Sequence, residues 1–139
     1  MIHKILVGYD GSESSQHALE FALDLAGRFG SQLRVLAVSR PPDFGTEVET
    51  EAIIEQSRRH FTDMLEAVKR RLAGGPVPVA FEVAVGHPAE QIIRYAEHHG
   101  IDHIVVGHRG HTLFDRWLIG SVARQVIAYA RCTVTIIRR

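Results

Sequence analysis

Two stretches of this chain hold residues whose types and spacing suit them to chemistry. The longer is Gly107-His108-Arg109-Gly110-His111-Thr112-Leu113-Phe114-Asp115-Arg116-Trp117-Leu118-Ile119-Gly120-Ser121. Its glycines let backbone approach a bulky ligand and let successive N–H groups converge on an anion. A helix opening at Gly120-Ser121 would aim its unsatisfied N–H groups and partial positive charge at the same point. Arg109, with His111 as a second candidate, adds formal positive charge, so the segment has the parts of a polyphosphate cradle. The plainer alternative is a turn at Gly107 and Gly110 followed by an ordinary helix start at Gly120. The shorter stretch is Asp10-Gly11-Ser12, directly after an apolar run. There Asp10 is either a turn and cap former or a carboxylate for a ribose hydroxyl, an exocyclic amine or a metal.

Other chemistries can be weighed on the same residues. His108-Arg109-Gly110-His111 matches H-x-G-H, in which two imidazoles stabilise charge on a transferring α-phosphate. In nucleotidyltransferases that motif follows the first strand and is paired with a serine/threonine-rich partner near the C-terminus; this chain has neither arrangement. A phosphoacceptor receiver needs an aspartate after the third strand, where this chain reads Val85-Gly86, and a phosphate-loop NTPase needs Gly-Lys-Ser/Thr, which is absent. The nine histidines show no second ligand class at fixed spacing, so surface histidines are expected, His98 and His99 included. Cys132 reads as a small core residue rather than a redox centre. Phe114, Trp117 and Leu118 are expected to pack the glycine loop onto the last helix. Asp115 is the only acid near the cradle besides Asp10, so the loops offer little that could position water or a leaving phosphate.

The elements that must position these loops follow from periodicity. Residues 4–9 form a short continuous apolar run, the mark of a buried strand. Ser12 caps a helix whose stripe is Ala18, Ala22, Leu25, Ala26 and Phe29, ended by Gly30. A strand at 33–38 and a loop at Pro41-Pro42 lead to a long helix over about 48–73, its acids first and its bases last, as the helix dipole favours. A third strand over 77–85 alternates strictly and contains Pro78, which predicts a sheet edge. Pro88 opens the next helix. A strand at 101–106, a helix over about 120–130 using Val122, Val126, Ile127 and Ala130, and a strand at 133–137 complete the chain. This βαβαβαβαβ order implies one doubly wound α/β domain over 1–139, a parallel sheet with helices on both faces. Such sheets bind ligands at the carboxyl ends of adjacent strands where the winding reverses.

Composition narrows the partners. The 139 residues carry 16 Lys+Arg against 16 Asp+Glu, so there is no basic excess of the kind a nucleic-acid binder shows. One cysteine excludes a disulfide framework. No apolar stretch reaches the roughly 20 residues that span a bilayer, and the run after Lys4 is too short for a signal peptide's apolar region. The expectation is a cytoplasmic domain with no membrane partner.

Gly107-x2-Gly110-x9-Gly120-Ser121 resembles the ATP-binding signature of the universal stress protein family. The opening KILVGYDGS, the Gly86-x-Pro88-Ala89 turn, the strand IDHIVVG and the closing GSVARQVI…VTIIR resemble the family pattern in order and spacing over the whole chain. The resemblance implies a five-stranded parallel sheet in order 3-2-1-4-5 and an ATP-binding regulatory module of the stress response, with weak ATPase activity as an alternative. It further implies that Gly8, Asp10 and Val38 line the adenine and ribose pocket and that Val106 and Gly107 sit at the ribose and α-phosphate end. Gly110, Gly120, Ser121 and Val122 would then hold the phosphates, with Arg109 beside them and Mg²⁺ or Mn²⁺ shared with the phosphates. A homodimer through the last strand, 133–137, is implied as well. The chain departs from the family pattern at His108, more often a small hydroxyl residue, and at Thr133, more often proline.

Overall fold

A computed structural model of the chain describes residues 1–41, 47–109 and 119–138. Among the described residues, nine elements alternate: β1 (Lys4–Gly8), α1 (Glu13–Phe29), β2 (Gln32–Ser39), α2 (Glu47–Leu72), β3 (Val79–Val85), α3 (Pro88–His98), β4 (His103–Gly107), α4 (Ser121–Tyr129) and β5 (Thr133–Ile137). The strands form one five-stranded sheet in order β3-β2-β1-β4-β5, every neighbouring pair parallel. The expected fold class and strand order are those observed.

The continuous apolar run of β1 is explained by its central place. Ile5 and Val7 pack on one face with Ala18, Leu19, Ala22 and Ala26 of α1 and Leu65 and Val68 of α2. Leu6 packs on the other with Ala89, Ile92 and Ala96 of α3 and Ala123 and Val126 of α4. A strand covered on both faces has no reason to alternate. The sheet therefore separates two cores, α1 and α2 over one and α3 and α4 over the other.

Local chemistry sets the helix ends. Ser12 adopts extended backbone angles and its hydroxyl accepts the Ser15 N–H at 3.2 Å, so it caps α1 as expected. Pro88 stands at the first position of α3 behind the extended His87. Gly120 precedes α4 in extended conformation and supplies no side-chain cap, which leaves the first N–H groups of that helix for another acceptor.

Four expectations change. Of the histidines expected at the surface, His103 and His108 are buried. Phe29, placed in the α1 stripe, is 60% exposed, and Ile127, placed in the α4 stripe, is 50% exposed. Phe29 is the last residue of α1, and Ile127 sits beside, not within, the face of α4 that carries Ala123, Val126 and Ala130 into the core. The third strand begins at Val79, so Pro78 stands outside the ladder rather than within it. β3 is nevertheless an edge strand; it pairs with β2 alone, and Ala80 and Glu82 are exposed.

Candidate functional site

The winding reverses between β1 and β4. The chain leaves β1 through α1 toward β2 on one side, while β4 lies against the other side of β1. Side chains and backbone at the carboxyl ends of these strands enclose a cavity of about 310 Å³. That volume is at the lower end of the about 300–1,000 Å³ usual for small-molecule sites.

Nine of the ten site residues expected from the sequence line this cavity: Gly8, Asp10, Val38, Val106, Gly107, Arg109, Gly120, Ser121 and Val122. The tenth, Gly110, lies outside the described residues, as do His111, Phe114, Asp115, Trp117 and Leu118. Residues of six elements, β1, α1, β2, α3, β4 and α4, converge here. β1 and β4 end on Gly8 and Gly107, one residue out of register, and the start of α4 is tied to the His108 carbonyl just beyond β4.

The glycines are required by close approach. A Cβ on Gly107 would fall 2.8 Å from the carbonyl carbon of Ser14, so only glycine lets the start of α1 close down on the end of β4. A Cβ on Gly120 would lie 3.0 Å from Arg109 Cα and 3.2 Å from the His108 carbonyl oxygen, both backbone atoms that cannot swing aside. The Gly120 N–H donates to that same carbonyl at 2.6 Å, which locks the helix start onto the β4 loop.

Asp10 is held by an Asx-type turn. Its Oδ1 accepts the Ser12 N–H at 2.9 Å, and its own N–H donates to Ser15 Oγ at 3.3 Å. The carboxylate is thus anchored by the first turn of α1 while lining the cavity. Tyr9, the next residue back, lines it too, and burial pushes its phenol above the ordinary value, partly offset by the Arg71 guanidinium.

Sequence reasoning missed several lining residues: Ser12, Ser15, Leu36, Arg40, Pro88, Ile92 and Ala123, besides Tyr9. Ile92 of α3 and Ala123 of α4 are buried in the core and also form cavity wall. Arg40 had an available signal, because it directly follows β2, the other neighbour of β1.

His108 does not line the cavity. Its ring, with the residue 2% exposed, turns back under the sheet end, where Nδ1 lies 3.2 Å from the Ile137 carbonyl oxygen and 3.4 Å from Ser14 Oγ. Burial holds its pKa below the usual histidine range; the Ile137 hydrogen bond works against this, and Arg109 and Arg138 reinforce it. The H-x-G-H reading needs this imidazole on a phosphate, and it faces the other way. Among the described residues, no group of three or more His, Cys, Asp or Glu could hold a metal ion.

Comparison with known proteins agrees with this architecture. The profile of the universal stress protein family matches residues 1–138. Universal stress protein MJ0531 of Methanocaldococcus jannaschii is 32% identical over 139 residues, covering 98% of this chain and 82% of that protein. Universal stress protein YxiE of Bacillus subtilis is 31% identical over 148 residues, covering 99% and 100%. Among solved structures, universal stress protein UspA from Lactobacillus plantarum superposes with a TM-score of 0.89 at 28% identity, covering 98% of this chain and 97% of that one. Two more distant structures share the fold and hold adenine nucleotides. One is a universal stress protein in complex with cAMP (TM-score 0.71, 24% identity, 97% and 96% covered). The other is that of Archaeoglobus fulgidus in complex with dAMP (TM-score 0.63, 23% identity, 99% and 99% covered). By sequence over its length and by fold, the chain belongs to the universal stress protein family.

Proposed function

We propose that this protein is a cytoplasmic adenine-nucleotide-binding regulatory module of the stress response that takes ATP in the cavity between β1 and β4 and turns it over slowly or not at all. The observation that carries this reading is the start of α4. Gly120 offers no side-chain cap, α4 opens on the cavity, and Arg109 lies beside it. A helix start whose N-cap offers no side chain, next to a guanidinium, is a site for phosphate.

The residues fit the group. The phosphates belong at Gly107, Arg109, Gly120, Ser121 and Val122, with Gly110 completing the sequence signature. The sugar belongs at the Asp10 carboxylate, an acceptor for hydroxyl protons. The base belongs in the apolar part of the cavity, among Val38, Leu36 and Ile92. A Cβ on Gly8 would crowd that wall, coming within 2.9 Å of Ile92 Cδ1 and 3.1 Å of Val106 Cγ1. A bound Mg²⁺ or Mn²⁺ would be held chiefly by the phosphates, since Asp10 is the only carboxylate among the described lining residues. The same fact supports slow turnover, because Asp10 is engaged by the turn into α1 and no described lining residue is a lysine or glutamine that could position water or a leaving group. Nucleotide then acts by shifting the population of loop arrangements.

We also propose a homodimer through β5. This strand pairs with β4 alone and presents an open edge, which proteins cover or pair. Sedimentation equilibrium should show a concentration-dependent dimer; a monomer at all concentrations rejects it.

The nucleotide test is a thermal shift against ATP, ADP, AMP, cAMP, dAMP and GTP, with Gly120→Val alongside. A shift specific to adenine nucleotides and absent in the variant supports the site. An unchanged melting temperature with every nucleotide, or an equal shift in the variant, rejects it.

A further inference from the structure

The loop that leaves β4 alternates its directions. Gly107 and Arg109 line the cavity, and His108 between them is buried on the opposite side. Its contacts reach three separate parts of the chain. Its N–H donates to the Ile137 carbonyl at 2.8 Å, and its Nδ1 lies 3.2 Å from the same oxygen. A carbonyl only accepts, so this contact puts the ring proton on Nδ1. Ser14 Oγ, in the first turn of α1, stands 3.4 Å from Nδ1 and donates to the same Ile137 oxygen at 3.4 Å. The carbonyl of His108 accepts the N–H of Gly120 at the start of α4.

Ile137 is the last residue of β5, the edge strand opposite β3. One residue therefore joins the floor of the cavity, the start of α4 and the carboxyl end of an edge strand. We infer that His108 is a positioning residue of the cavity and couples the occupancy of the cavity to the order of the β5 edge. This inference rests on the nucleotide reading above.

A ligand held by Gly107, Arg109 and Gly120 fixes the backbone on both sides of His108. The ring cannot turn independently, because it is almost wholly buried and Ser14 closes one side of it. Fixing the loop therefore fixes the donors that hold the Ile137 carbonyl. The carboxyl end of β5 has neighbours on one side only, so its local opening is where such a restraint is felt most. By linkage the effect is reciprocal: whatever orders the β5 edge, a second copy included, tightens the cavity for its ligand.

Hydrogen exchange tests this with an internal control. Ligand binding protects every strand by mass action, but β3 is an edge strand that His108 does not touch. With saturating ATP, peptides covering 131–138 should slow about tenfold more than those covering β3, within the range of measured couplings between sites. In His108→Leu, which keeps bulk and removes the ring donor while the backbone N–H still holds Ile137, the excess at β5 should shrink well below the wild-type value. In His108→Asn, which places an amide donor near the position of Nδ1, the excess at β5 should return. A merely structural role would lower the melting temperature in both variants and leave the excess in place. If the leucine variant fails to fold, His108→Ser, smaller and too short to reach Ile137, takes its place with the same expectation.

Equal slowing of β3 and β5 in the wild type at ATP saturation overturns the coupling and leaves nucleotide binding standing. So does an undiminished excess in the leucine or serine variant, or an asparagine variant that behaves like leucine. A wild type that does not bind ATP overturns the nucleotide reading and the coupling with it, and the thermal shift separates that result from the others.

Discussion

The two ends of the sheet are built in opposite ways. At the amino end, polar side chains tie strand starts together. The Asp102 carboxylate accepts the His3 N–H at 2.9 Å and the Lys4 N–H at 3.2 Å, and Ser31 Oγ donates to the Ile2 carbonyl at 2.5 Å. Backbone bonds from Asp102 N–H to the Lys4 carbonyl and from Gln32 N–H to the His3 carbonyl close the rest. At the carboxyl end, glycines stand where side chains would fill the space, and a helix begins without a cap. At the amino end these strand-start donors are all bonded; at the carboxyl end α4 opens without a side-chain cap. The difference follows from topology, since the reversal between β1 and β4 parts the connections at only one end.

Substitutions can break this contrast from either side. The largest expected effect is at the open end. Gly120→Val should weaken ATP binding at least about 100-fold, equivalent to about 2.7 kcal/mol, as read by calorimetric titration. The clash with the Arg109 and His108 backbone is local, so the fold should persist by circular dichroism. At the closed end the signs exchange: Asp102→Ala should cost about 1–2 kcal/mol of stability in urea denaturation and leave ATP affinity unchanged. Any large loss of affinity there would mean that the two ends are not independent.

A smaller effect comes from pH. His103, whose Nε2 sits 2.7 Å from Thr135 Oγ1, and His108 are both held below the ordinary histidine value of 6.5, chiefly by burial. For His103 the Asp102 carboxylate opposes the burial; for His108 the Ile137 bond opposes it and Arg109 and Arg138 add to it. In this window the unfolded chain binds more protons than the folded one, so stability rises with pH. It is fully present above about 6.5 and falls as pH drops from there toward the lowered folded values. Denaturation midpoints between pH 7.5 and 5 should decline, and less steeply in His103→Gln. The smallest change is Arg40→Ala, which removes an exposed cation from the cavity rim and should weaken ATP only about threefold, in keeping with a solvent-screened charge.

Much of this arrangement was legible before any coordinates. The central strand showed itself through an unbroken apolar run, and the cavity floor showed itself through glycines whose spacing serves backbone approach. The misreadings have physical causes. Phe29 closes α1 and Ile127 flanks the buried face of α4, and an apolar residue at a stripe's end or edge reads the same in sequence whether or not a partner covers it. Ile92 forms cavity wall because α3 crosses the end of β1, a contact spanning most of the chain. The direction of the His108 ring depends on Ser14 and Ile137, 94 and 29 positions away. No local pattern reports such a choice.

The strand order also bears on how the chain is made. β1 is synthesised first, yet one of its two partners, β4, begins about a hundred residues later at His103. Until then β1, β2 and β3 can assemble only half a sheet, with Ile5, Leu6 and Val7 on a bare edge that the finished protein buries completely. On a ribosome adding about 5–20 residues per second, that edge stays open for several seconds. A nascent chain stalled before β4 therefore keeps an unpaired strand edge, and the first strand to appear is among the last to be protected.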